Sequence, residues 1–218
     1  MSRPKLQLAL DFVRLDAAAS VAELSAPHVD CIEVGTPLIK ACGLDAVRRL
    51  KRRFPSKHVV ADMKTMDTGR LEAEQAYRAG ADATTVLGVA ARETIRGAVE
   101  AAHEYGRQVI VDSIGAEDTA TLLHKIDGLA VNWLLIHTGI DQQRAGHSAF
   151  SHLDAFVGST IGPRLGLVGG IDAETIVKLS RYPRVELVIV GGAITNAADP
   201  SHAAARIRAA LDALPAVS

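Results

Sequence analysis

His58-Val59-Val60-Ala61-Asp62-Met63-Lys64-Thr65-Met66-Asp67 decides the reading of this chain. Its first four residues make the apolar, β-branched run of a buried strand, and that run ends in two carboxylates and an ammonium. Strand side chains alternate between faces, so Asp62 and Lys64 are expected to point the same way, with Asp67 beyond the strand on the following loop. In isolation such a motif suits a structural ion pair as well as a functional site. The surrounding sequence separates the two readings.

Seven further runs have the same character: Leu6 to Leu10, Val29 to Val34, Ala83 to Leu87, Gln108 to Val111, Trp133 to Ile136, Leu165 to Val168 and Leu187 to Val190. Between them lie Ala-rich segments with apolar positions at helical spacing, over 17–24, 44–53, 70–79, 94–105, 116–126, 151–156 and 173–179. A last helix is announced by Asp199-Pro200, a capping acid followed by proline at the first helical position. Strict alternation of buried strands with helices implies a parallel sheet, and eight such units close into a (β/α)8 TIM barrel, one domain over residues 1–218. A doubly wound sheet would carry a Gly-rich turn after the first strand, where this chain has Asp11-Phe12-Val13-Arg14. The polar stretch Gly139 to Ser148, after the sixth strand, is a candidate lid.

The 218 residues are 48% hydrophobic, enough to bury a substantial core. Lys and Arg number 24 against 25 Asp and Glu, which leaves no electrostatic footprint for nucleic acid or an anionic membrane. The basic run Arg48 to Arg53 closes a helical pattern, where cations suit the helix dipole. Cys31 and Cys42 lack metal-ligand spacing and no apolar run reaches bilayer length, so a reduced, cytoplasmic setting is expected.

Barrel enzymes act at the C-terminal ends of their strands. Those positions here read Asp11, Glu33, Asp62 with Lys64, Gly88, Asp112, His137, Gly169-Gly170 and Gly191-Gly192. Four carboxylates converging on one mouth repel unless a cation or an anionic substrate belongs to the arrangement. Glu33 and Asp62 offer hard oxygen ligands of the kind Mg²⁺ takes in small number, although either could instead pair with Lys64. Glycine pairs closing strands seven and eight suit a backbone phosphate site around Gly170, Gly191 and Gly192, or merely permit tight turns. His137 is a candidate proton shuttle or a packed core histidine.

Leu8-Ala9-Leu10-Asp11, Ile32-Glu33-Val34-Gly35-Thr36-Pro37, Ala61 to Asp67 and His137-Thr138-Gly139 together resemble the orotidine-phosphate decarboxylase suprafamily, in order along nearly the whole chain. Within it the motifs most resemble the 3-hexulose-6-phosphate synthases. That resemblance implies a Mg²⁺-dependent aldol reaction joining formaldehyde to ribulose 5-phosphate, or its reverse. It implies His137 as base, Glu33 and Asp62 as metal ligands, Asp11 and Asp67 orienting Lys64 and the sugar hydroxyls, and Asp112 positioning substrate. It also implies a homodimer in which Asp67 reaches the neighbouring subunit's site. The relative to exclude is 3-keto-L-gulonate-6-phosphate decarboxylase, which resemblance says carries arginines where this chain has Ile140 and Gly192, and glutamate in place of Asp112. A barrel that binds sugar phosphates without turnover is the non-enzymatic alternative.

Overall fold

The computed structural model describes residues 3–157 and 162–214. Eight parallel strands close in sequence order, β1 next to β8. The order of elements is β1 (Lys5–Leu10), α1 (Leu15–Ser25), β2 (Cys31–Val34), α2 (Thr36–Cys42), α3 (Asp45–Arg53), β3 (His58–Thr65), α4 (Gly69–Arg78), β4 (Ala83–Leu87) and α5 (Arg92–Tyr105). It continues with β5 (Gln108–Asp112), α6 (Thr119–Ile126), β6 (Trp133–His137), α7 (Ile140–Arg144), α8 (Ala149–Val157), β7 (Arg164–Val168), β8 (Val185–Val190), α9 (Gly192–Thr195) and α10 (Pro200–Asp212). The expected (β/α)8 barrel is present, and all eight strands lie where the sequence places them.

Three elements differ from expectation. The Gly35-Thr36-Pro37 motif opens α2, with proline in its first turn, in a stretch where the sequence periodicity announces no helix. Thr175–Arg181, between β7 and β8, is a 3-10 segment rather than an α-helix. β3 runs on to Thr65 instead of ending at Ala61, with an irregularity that shapes the site. At α10 the Asp199 carboxylate accepts the His202 N–H at 3.0 Å, as the capping signal predicts, a contact typically worth about 1 kcal/mol.

Strand periodicity places the functional residues. Ala9, Val60, Ala83, Ile110, Trp133, Leu135, Leu187 and Ile189 form a cluster inside the barrel, separate from the larger core between sheet and helices. Because side chains alternate, the residue two further along each strand faces the same interior, one layer higher. Counting two from Ala9, Val60, Ala83, Ile110, Leu135 and Ile189 gives Asp11, Asp62, Thr85, Asp112, His137 and Gly191. The apolar layer is thus a platform carrying a polar one. Gly166 makes room in the platform, since a Cβ there would lie 2.5 Å from Leu135. At the floor, the Arg164 guanidinium stacks 4.0 Å over the Trp133 ring, whose Nε1 donates to Gln108 at 3.1 Å.

Candidate active site

A cavity of about 530 Å³ opens at the C-terminal end of the barrel. Asp11, Glu33, Asp62, Lys64, His137, Gly170, Gly191 and Gly192 all line it. Asp112 and Asp67 do not.

Asp112 is fully buried beneath the cavity wall. Its two oxygens lie 2.9 and 2.8 Å from His137 Nδ1, Oδ2 also accepts from Lys64 Nζ at 3.2 Å, and Oδ1 accepts the Ile114 N–H at 2.9 Å. Burial pushes this carboxyl up, but the contacts with His137, Lys64 and the Ile114 N–H outweigh it and hold Asp112 below the usual carboxylate range. An ionised Asp112 accepting from Nδ1–H leaves Nε2 as the nitrogen that can exchange a proton with a ligand in the cavity. Asp112 therefore orients His137 and Lys64 from beneath the cavity wall.

Lys64 lies between two carboxylates, with Nζ 2.7 Å from Asp62 Oδ2 as well as 3.2 Å from Asp112. Burial opposes its charge, yet Asp62, Asp112 and Glu33 together keep the ammonium well above the ordinary lysine range. Within one chain its hydrogen-bond partners are therefore Asp62 and Asp112. The backbone here is irregular. Ala61 pairs with Thr84 and Thr65 with Val86, so β3 bulges out between them, and Lys64 adopts a left-handed φ of 47°. Asp62 and Lys64 do meet, but through this bulge rather than through regular alternation.

Asp62 is held from three sides: Thr85 Oγ1 donates to Oδ1 at 2.8 Å, while Thr36 Oγ1 at 2.8 Å and Lys64 share Oδ2. Glu33 is buried, with its Oε2 accepting from Gln7 Nε2. Burial first, and then the neighbouring Asp62, raise the Glu33 carboxyl well above its ordinary value. Asp11, at the rim, is raised by the same two influences. Among the described residues no three His, Cys, Asp or Glu side chains gather into a ready-made metal cluster. A Glu33 and Asp62 pair nevertheless suits Mg²⁺, which keeps waters and uses one or two carboxylates with substrate oxygens.

The far wall is backbone. Gly169 has φ 118°, and a Cβ there would strike the Thr138 carbonyl at 2.3 Å, so only glycine fits; Gly170 follows with φ 65°. Gly192 begins α9, whose first N–H groups have no intrahelical acceptors. The expected lid at Gly139 to Ser148 contains α7, tied down by Gln143 Nε2 donating to the Thr138 carbonyl at 2.7 Å, and Ile140 presents an exposed apolar side chain to the cavity. Asp67 sits on the exposed turn before α4, its carboxylate accepting the Thr68 N–H at 2.7 Å.

Sequence reading passed over Gln7, Thr36 and Thr85 as site residues. Two of them carried a signal, because Gln7 and Thr85 are polar residues on the inward parity of buried strands.

The model of the orotidine 5'-phosphate decarboxylase / HUMPS family matches residues 4–207. The chain belongs to that family. A 3-hexulose-6-phosphate synthase of Methylomonas aminofaciens is 41% identical over 201 residues, 92% of this chain and 96% of the relative. A crystal structure of a 3-hexulose-6-phosphate synthase superposes with a TM-score of 0.90 at 43% identity, covering 94% of this chain and 99% of the other. A 3-keto-L-gulonate-6-phosphate decarboxylase from Vibrio cholerae superposes with 0.86 at 31% identity, covering 99% and 100%. Sequence identity is higher to the synthase than to the decarboxylase.

Proposed function

We propose that this protein is an aldehyde-lyase that condenses formaldehyde with D-ribulose 5-phosphate to D-arabino-hex-3-ulose 6-phosphate and runs the reverse cleavage. The observation that carries this reading is Asp112 bonded at once to His137 and Lys64, which sets a proton acceptor and a fixed cation side by side at the cavity base. His137 Nε2 takes the C1 proton of the ketose. Lys64 lies where negative charge develops as the 1,2-enediolate forms, in a site partly closed to water. C1 then attacks the formaldehyde carbon, the C=O bond becomes C–O⁻, and the imidazolium of His137 returns a proton to that oxygen. Glu33 and Asp62 would hold Mg²⁺, which supplies further positive charge for the enediolate oxygens. The N–H groups around Gly170, Gly191 and Gly192 receive the phosphate, and binding energy at that distant end holds C1 beside the base.

Two features favour the synthase over the decarboxylase. Ile140 gives the cavity wall an apolar side chain suited to a neutral one-carbon electrophile, and Gly192 leaves phosphate to backbone donors. Formaldehyde addition also needs a C1 base beforehand, the role that Asp112 prepares His137 to fill. The working form is a cytoplasmic homodimer. Met66 and Leu71 leave large apolar side chains exposed on either side of Asp67, a surface suited to a second copy whose site Asp67 completes. No helix among the described residues is long and apolar enough to cross a membrane.

The test is a paired assay of purified protein with ribulose 5-phosphate plus formaldehyde and with 3-keto-L-gulonate 6-phosphate, each with Mg²⁺ and with chelator. Faster condensation that requires Mg²⁺ is expected. Faster decarboxylation would transfer the assignment to the other branch of the family, and no turnover of either would leave a sugar-phosphate-binding barrel.

A further inference from the structure

We propose that Thr85 is a positioning residue whose single hydroxyl sets the geometry of both Asp62 and Lys64. Thr85 is buried on β4, one layer above Ala83 in the barrel interior. Its Oγ1 donates its one proton to Asp62 Oδ1 at 2.8 Å and accepts the Lys64 N–H at 2.9 Å. The two contacts span the β3 bulge. Between the Ala61 and Thr84 pair and the Thr65 and Val86 pair, β3 leaves the ladder, and the Lys64 N–H has the Thr85 side chain as its acceptor in place of a neighbouring strand's carbonyl.

Lys64 needs that support. Its φ of 47° is an uncommon conformation for a residue with a side chain, and such a conformation persists where surrounding contacts over-determine it. The conformation lets Nζ reach back to Asp62 and across to Asp112. On the other side of the hydroxyl, Asp62 Oδ1 has Thr85 as its donor while Oδ2 takes Lys64 and Thr36, so the carboxylate cannot turn without breaking one of them. Valine would suit a buried strand equally well in shape and propensity, yet it would serve neither partner. The methyl of Thr85 belongs to the barrel; the hydroxyl belongs to the site.

This inference rests on the reading of Asp62 and Lys64 as working groups, and its test separates the two. Thr85→Ser keeps the hydroxyl, Thr85→Ala removes it at nearly the bulk of the serine variant, and Thr85→Val keeps the shape of threonine without it. Serine should retain kcat within about threefold, while Ala and Val lose about tenfold or more with KM for ribulose 5-phosphate changed less than about threefold, because the phosphate end is untouched. On the ligand-free protein, the Lys64 amide should exchange with solvent deuterium about tenfold faster in Thr85→Ala than in Thr85→Ser. Equal kcat, or equal Lys64 amide exchange, in the Ser and Ala variants would overturn the proposal, and this pair decides even if the Val variant cannot be purified. Should the wild type fail to condense formaldehyde, the assigned reaction falls, and the amide comparison alone decides the role of Thr85.

Discussion

His137 Nδ1 lies within 2.9 Å of both oxygens of Asp112, and the same carboxylate reaches Lys64 Nζ at 3.2 Å. One buried anion therefore fixes the tautomer of the base and the place of the cation. The two are not independent parts.

Asp112→Asn should lower kcat about 10²- to 10⁴-fold, since the amide keeps the shape but neither holds the charge nor enforces the Nδ1–H tautomer. The check is deuterium incorporation at C1 of ribulose 5-phosphate without formaldehyde, followed by NMR. Exchange within tenfold of wild type would mean that His137 is not oriented by Asp112.

Lys64→Ala should cost about 3 to 4 kcal/mol of transition-state stabilisation by analogy with a lost oxyanion donor, with sugar-phosphate binding still measurable by calorimetry. A loss under tenfold in kcat/KM would reduce Lys64 to a structural ion pair.

Glu33 gives a pH signature in stability. Its folded-state carboxyl is raised above the unfolded value of 4.5, so between those two pKa values the unfolded chain binds fewer protons and stability falls as pH rises. Asp11, also raised, adds to the same slope. Without Mg²⁺, Glu33→Gln should therefore melt above wild type at pH 8 and lose that advantage near pH 4. Mg²⁺ should raise the wild-type Tm and leave the variant unmoved. Thermal scans at both pH values, with and without the metal, read all of this; an equal response of the two proteins to Mg²⁺ would remove Glu33 from the ligand set.

Asp67→Ala and Lys64→Ala proteins should each be nearly inactive alone. Unfolded together in equal amounts and refolded, they should recover about a quarter of wild-type activity, because in half the dimers one of the two sites is intact. No recovery, with mixed dimers demonstrated by mass spectrometry, would place the role of Asp67 within its own subunit.

The barrel and most of its mouth were legible because periodicity is a local property. Runs such as Ala83 to Leu87 declare themselves as strands, and a shared parity aligns Asp62, Asp112 and His137 without any knowledge of the turns between them. What escaped was set by contacts between elements. The bulge at Lys64 depends on β4, and α2 hides behind a Gly-Thr-Pro motif that is equally at home in a loop. Asp112 looked like one more mouth carboxylate, because strand parity gives direction but not depth.

The stacked Trp133 and Arg164, with Ile110, Leu135 and Leu187 packed above them, stopper the barrel from below. Pentose phosphate, one-carbon aldehyde and hexose phosphate must then use a single doorway. A single cavity of about 530 Å³ with one mouth makes turnover a matter of queueing, because the product must leave before the next sugar is admitted. Competitive inhibition by product against the pentose phosphate is the kinetic mark of such a one-door chamber.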